Sequence, residues 1–431
     1  MTKGEIDRLG AKIGASSVVE SADLEQLQEY RQTFQEPLSK VFSFVLAAAR
    51  KIDRQCIVTY RIKRIDTIIG KLRRFKENEN GKMNLSRMWD IAGCRCIMSS
   101  PDINKLYQLR DVILKEFGAD CKINDHVAKP KTSGYRSIHV YVKDKATQKP
   151  IEIQIRNEKQ HNWATLVEIV DLLYESKNKE RGATGPLGQF LFMYSKASEL
   201  SEKEFDYMLN LERRMNVFER MSKAMTRNYL NIRRQWLTQK RQGCYFVITA
   251  NKKKSEIVSF QTFKKAEAAY YEKYLENSDS NIVLTYLQNP EFDQISMAYS
   301  NYVLAMHTFF NDYRALLADK IIDSVEKGHY HLFFKYFHTY NNDVRYHFEN
   351  MSKELKSINA CYKDSTIPRN QITNWIKDIN YRLSLWNTET NDFLKKLMQV
   401  SEGNSFKRFI VKNRIKRLKK AVSEGQHAIR K

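Results

Sequence analysis

The chain has 431 residues, 42% of them hydrophobic, with seven prolines and fifteen glycines, which gives room for two to four domains and excludes extended disorder. Its 73 Lys+Arg against 50 Asp+Glu leave a formal net charge of +23, which points to a polyanionic partner such as nucleic acid. The six cysteines (Cys56, Cys94, Cys96, Cys121, Cys244, Cys361) form no CxxC and no zinc spacing with histidine, so neither a disulfide framework nor a structural metal is expected.

In chain order, apolar residues recur at three and four positions over 23–76, which predicts helix throughout. The most apolar run there, VFSFVLAAA at 41–49, is too short to span a bilayer. No apolar core of a secretory signal is visible in MTKGEIDRLGAKIG, so the expected location is the cytoplasm. After a polar break, ENENGK at 77–82, a strand is expected around CRCIM (94–98) and a helix over 102–117. The loop AKPKTSGYR follows, then strands SIHVYV (137–142) and IEIQIR (151–156), joined by the polar hairpin connection KDKATQKP. Helix is expected from Gln160, interrupted by ERGATGPLGQF, and again over 197–240.

A second unit is expected from Gly243: a hairpin of YFVIT and EIVSF, a helix over 261–277 and a strand NIVLTYL. Beyond about 318 the pattern is helical and ends in a tail, 405–431, with ten lysines and arginines against one glutamate. The fold class is therefore α+β. A mixed-sheet core with flanking helices occupies 1–242, a small α/β unit 243–318, and a helical, basic region 319–431.

Alternation along the two central strands separates their faces. Ile138, Val140 and Val142 share a side, as do Ile151, Ile153 and Ile155; the other sides carry Ser137, His139, Tyr141 and Glu152, Gln154, Arg156. A solvated antiparallel sheet would also alternate in this way. The combination says more: a carboxylate, a histidine and an arginine on one face, beside a loop with Lys129, Lys131 and Tyr135. Asp90 precedes a strand bearing Arg95. Two separated carboxylates, Asp90 and Glu152, among cations suit Mg²⁺ bridging phosphate oxygens, and arginines neutralise a polyphosphate bidentately.

The ordered set Arg61-x-Lys63, Lys71, Asp90-x-x-x-x-Arg95, DHVAKPKTSGYRSIH and EIQIRNEKQHNWA closely resembles the synthetase domain of RelA/SpoT proteins over roughly residues 40–180. The resemblance implies a nucleotidyltransferase-like core that moves the terminal pyrophosphate of ATP to a ribose 3′-hydroxyl and releases AMP. By motif position, Arg61, Lys63, Lys71 and Arg95 would hold ATP, and Asp90 and Glu152 would hold Mg²⁺. Glu152 would take the proton of the attacking hydroxyl. Tyr135 would stack on the acceptor base, with Lys129, Lys131, His139, Gln154 and Arg156 around the acceptor. The sequence departs from the family pattern at Thr67, Asn157, Thr165 and Glu168, and it has no HD dipeptide, so synthesis without hydrolysis is expected.

Two acceptors fit this reaction. One is GDP or GTP, giving (p)ppGpp; the other is the 3′-terminal adenosine of tRNA, as in toxic small members of the family. The stretch 213–241, with Tyr229 and Trp236 among its cations, and the tail 405–431 suit an RNA backbone. A non-catalytic RNA-binding regulator on the same fold is the reading of a different class.

Overall fold

Strand β1, Ile57–Ile62, interrupts the region expected to be helical. Its sequence IVTYRI is almost entirely β-branched or aromatic, types that fit a pleated, half-buried surface. The chain before it forms helices Ser21–Gln32 and Gln35–Ile52, and the chain after it the helix Ile65–Glu77. What fixes 57–62 as a strand is remote. It pairs with β2 (Ala92–Met98) on one side and with β8 (Asn281–Tyr286) on the other. Tyr60 also stacks on Tyr286, with ring centroids 4.8 Å apart.

The structure, a computed structural model, describes residues 1–77, 84–118, 121–176, 178, 184–238, 243–250, 255–276, 281–303, 307–364 and 367–430. The expected break at 77–82 lies outside these residues beyond Glu77, as does part of the loop at 180–190. Two compact units divide the chain, Met1–Glu168 with Gln239–Val303, and Ile169–Thr238 with Leu304–Lys431.

The first unit is built on one eight-stranded sheet in the order β3-β4-β5-β2-β1-β8-β6-β7. The other strands are β3 (Lys122–Asp125), β4 (Ile138–Lys143), β5 (Pro150–Asn157), β6 (Tyr245–Ala250) and β7 (Ser255–Phe260). Among the described residues, only β2 and β5 pair in parallel. The aliphatic face read from the sequence is the core face: Ile138, Val140, Val142, Ile151, Ile153 and Ile155 are all fully buried.

The hairpin expected to open a separate domain at Gly243 instead continues this sheet, because β8 covers the edge of β1 through Tyr60↔Tyr286 and Arg61↔Thr285. An uncovered β1 would leave a row of unpaired backbone groups. The boundary drawn at 242/243 therefore falls inside one hydrogen-bonded sheet, and the boundary at 318/319 falls inside the helix His307–Glu326.

The second unit is helical and closes on aromatic contacts such as Phe218 against Tyr313 (4.2 Å) and Phe205 against Tyr336 (5.3 Å). Tyr229 and Trp236, expected among exposed cations, are 6% and 4% exposed. They face inward because the helix Val217–Thr238 needs an apolar flank to join the bundle. All six cysteines are free thiols. Among the described residues, no helix is long and apolar enough to cross a membrane.

Candidate active site

The polar face of β4 and β5 carries a closed ring of hydrogen bonds. The antiparallel register sets His139 opposite Gln154 and Tyr141 opposite Glu152. An Arg156 N–H donates to the Tyr135 hydroxyl, which lies 2.7 Å from His139 Nε2. His139 Nδ1 lies 2.8 Å from Glu152 Oε1, Gln154 Nε2 donates to Glu152 Oε2 at 2.9 Å, and Arg156 donates to Gln154 Oε1 at 3.0 Å. One set of protons satisfies all five contacts: the tyrosine hydroxyl donates to Nε2, and the imidazole carries its hydrogen on Nδ1 and donates it to Glu152. Burial opposes ionisation of Glu152, but the hydrogen bonds from His139 and Gln154, with Lys63 nearby, outweigh it and hold the carboxyl below its ordinary range.

Asp90 sits in the turn before β2, its two oxygens divided between two lysines. Lys63 pairs with Oδ2, and Lys71, from the helix Ile65–Glu77, donates to Oδ1 at 2.7 Å. Burial alone would raise the Asp90 pKa, but the two ammonium groups reverse it and keep the group ionised. Lys63 is itself pushed below its usual range, first by burial and then by its cationic neighbours Lys71 and Arg61, with Asp90 opposing. Asp90 and Glu152 are ionised carboxylates from different elements, the donor type that could hold Mg²⁺, and Lys63 acts electrostatically on both. Among the described residues, no cluster of three or more acidic, His or Cys side chains forms a closed protein cage. Mg²⁺ in phosphate-binding sites leaves such positions to substrate and water.

Gly93 allows β2 to approach β5 at this point. A Cβ there would lie 2.7 Å from the carbonyl oxygen of Glu152.

The loop ahead of β4 is organised by its own backbone. Asp125 Oδ1 accepts from the amides of Val127 and Ala128, both at 2.9 Å, and Lys131 N donates to Tyr135 O at 3.2 Å. Gly134, at φ 93°, takes the left-handed turn that other residues rarely adopt. Lys129 and Lys131 are exposed. The Tyr135 ring has Lys131 Nζ at 5.2 Å and the Arg156 guanidinium at 5.0 Å from its centroid. The tyrosine is therefore bonded at its hydroxyl and flanked by cations at its ring.

Arg61 and Arg95 lie at the centre of the sheet on the paired strands β1 and β2, Arg61 close enough to Lys63 to depress its pKa. Arg95 donates to the Ala298 carbonyl at 2.8 Å and lies over the Tyr299 ring at 5.8 Å. Burial, with Arg61 and Arg156 close by, brings its pKa down to about 10, so it stays charged at neutral pH. His161 Nε2 donates to the Met297 carbonyl at 2.9 Å. Asn301 donates to Glu168, one of the positions that departs from the family pattern. The helices Phe292–Ala298 and Ser300–Val303 thus lie against the arginine end of the site. No local pattern in the sequence announces these contacts, because some 200 residues separate Arg95 from Ala298 (|i−j| = 203). Asn157 has a plainer role: its Oδ1 accepts from Gln160 N at 2.9 Å and starts the helix Glu158–Tyr174.

Residues 60–179 match the family model described as "Region found in RelA / SpoT proteins". An uncharacterized protein of Mycobacterium tuberculosis is 33% identical over 116 residues, 27% of this chain and 40% of that protein. The GTP pyrophosphokinase YwaC of Bacillus subtilis is 31% identical over 113 residues, 25% of this chain and 53% of that protein. The chain thus spans about half or less of the length of these relatives. Among solved structures, the small alarmone synthetase 1 of Bacillus subtilis bound to its product pppGpp aligns with 42% of this chain and 93% of its own, at 23% identity and a TM-score of 0.31. The segment that holds Asp90, the lysine loop and Glu152 is the one that matches the RelA/SpoT region, and the proteins it resembles include GTP pyrophosphokinases.

Proposed function

We propose that the chain transfers pyrophosphate from ATP to the 3′-hydroxyl of a guanine nucleotide, GDP or GTP, releasing AMP. The observation that carries this reading is the hydrogen-bonded ring through Glu152, His139, Tyr135, Arg156 and Gln154, next to an Asp90 carboxylate held between two lysines. In the reaction the ribose 3′-oxygen bonds to the β-phosphorus, and the bond from that phosphorus to the α–β bridging oxygen breaks. Such a transfer asks the protein mainly for positioning and charge stabilisation.

In this reading Lys63 and Lys71, now paired with Asp90, exchange it for phosphate oxygens, and Arg61 and Arg95 extend the cationic track. Mg²⁺ held by Asp90 and Glu152 would neutralise charge on the polyphosphate. Glu152 accepts the hydroxyl proton in this reading. With its carboxyl held low it is a weak base, and loosening of the His139 and Gln154 bonds by an entering acceptor raises its proton affinity. Lys129 and Lys131 meet the acceptor phosphates. For an acceptor base to lie on Tyr135, Lys131 must first leave the ring. Donor phosphates at Arg95 compete with the Ala298 carbonyl, so the 292–303 segment has to yield as ATP enters.

A second acceptor, the 3′-terminal adenosine of tRNA, is favoured by one observation, the exposed cations of the helix Ser405–Arg430. The test follows label from the terminal phosphate of ATP into GDP, GTP or deacylated tRNA, with Glu152→Gln as control. Label in a guanine nucleotide supports the first reading and label in tRNA the second; no transfer contradicts both.

A further inference from the structure

The helix Ser405–Arg430 buries Val411, Ile415 and Leu418 and packs along the helix Tyr330–Tyr362. Its other flank is left to solvent with Arg408, Lys412, Lys416, Arg417, Lys419 and Lys420 exposed. Four of these, Arg408, Lys412, Lys416 and Lys420, follow one another at every fourth position, a rise of about 6 Å per step. The one acidic residue of the helix, Glu424, reaches Lys420 only at 3.8 Å. Little within this flank neutralises the row.

Aromatic rings stand where the row begins. Phe406 is 59% exposed, Phe409 66% and Phe334 36%. Phe406 meets Tyr330 edge-on at 5.4 Å, and the Arg414 guanidinium lies 4.5 Å from the Phe334 ring centroid. Exposed rings grouped beside a cationic row are costly to keep in water and mark contact surfaces.

We propose that this flank binds single-stranded RNA, the cations following the phosphates and Phe406 and Phe409 stacking on unpaired bases. Stacking rings suit splayed bases, whereas duplex RNA is read through its backbone and 2′-hydroxyls. An anionic membrane fits less well, because the apolar flank is already spent on packing and an interfacial helix needs it free. The inference does not rest on the pyrophosphotransfer reading.

Binding of the full chain to a labelled, unstructured RNA of about 12 nucleotides, followed by fluorescence anisotropy without ATP, tests it between 50 and 200 mM salt. The wild type binds, with affinity falling steeply as salt rises. K412A/K416A/K420A lowers the slope of log K against log salt by about 2, because each single-strand phosphate contact contributes roughly 0.7. F406A/F409A weakens binding at least tenfold and leaves the slope unchanged. These side chains are exposed, so unchanged thermal melting of both variants would show that the fold is intact. Four results would overturn the proposal: no RNA binding by the wild type, a salt slope the triple variant does not change, equal affinity for a blunt RNA duplex with no effect of F406A/F409A, or preference for phosphatidylserine vesicles over RNA.

Discussion

Arg31 and Glu267 form a buried ion pair at 2.9 Å, and the Nε of the same arginine donates to the backbone carbonyl of Lys63, also at 2.9 Å. Gln28 donates to Glu267 as well, and the Tyr270 ring lies 4.6 Å from the Arg31 guanidinium. The Tyr270 hydroxyl accepts from the amide of Ile65. The helix Phe263–Glu276, far along the chain from β2, therefore fixes the backbone between Arg61 and the helix that carries Lys71.

Removing one partner of such a pair strands a buried charge, so Glu267→Ala should cost about 3–5 kcal/mol of stability. Glu267→Gln keeps the shape and a carbonyl acceptor and should cost less. Chemical denaturation checks both; a loss below about 1 kcal/mol for the alanine variant would show that the pair is not structural.

A fragment ending at 242 exposes the β8-facing edge of β1 and orphans Arg31 together with its hold on Lys63. It should aggregate or unfold, while a fragment covering 1–303 should keep the sheet. Circular dichroism and size-exclusion chromatography of the two would decide. A monomeric, cooperatively melting 1–242 fragment would contradict the single-sheet account.

Glycine is required at position 93 because β2 and β5 approach closely beside Glu152. A methyl group 2.7 Å from a backbone oxygen cannot be accommodated by a side-chain rotation. Gly93→Ala should therefore cost about 1–3 kcal/mol and lower transfer activity more than the stability loss explains, since the displaced strand carries Glu152. Melting and initial rates measured on the same preparation check this.

The sign of the pH dependence follows from Glu152 and Asp90, whose carboxyls are held below their unfolded values of 4.5 and 3.8. Groups depressed in the folded state contribute stability that is complete above the unfolded value and is lost as pH falls through the folded one. Stability should decline as pH falls below about 4.5. In His139→Ala, which removes one bond to Glu152, the decline should be shallower and the loss at neutral pH about 1–3 kcal/mol. Denaturation midpoints of the two proteins from pH 7 to pH 3 test it; parallel curves would mean the His139–Glu152 bond does not set the titration.

Alternation along SIHVYV and IEIQIR is a local signal, so the face holding His139, Glu152, Gln154 and Arg156 was legible in the sequence, as was the aliphatic face behind it. Contacts set by distant chain were not. β1 reads as helix until β2 and β8 are seen to flank it. Nothing near Arg95 announces Ala298 and Tyr299 as its partners. Tyr135 illustrates a subtler limit: its place beside the polar face could be read, but not that its hydroxyl would close a ring from Arg156 to His139. In the basic helix Val217–Thr238, cations and aromatics alternate along the sequence yet part in space, leaving Tyr229 and Trp236 inside.

The most direct test of the proposed chemistry is the transfer of label from the terminal phosphate of ATP, run with Mg²⁺ and GDP, GTP or deacylated tRNA. The account predicts label in the outer phosphate of a 3′-pyrophosphate on a guanine nucleotide, stoichiometric release of AMP, and loss of at least a hundredfold in Glu152→Gln, on the scale by which one acid–base group contributes. Label that stays on ATP with every acceptor, or an unchanged rate in Glu152→Gln, would contradict it.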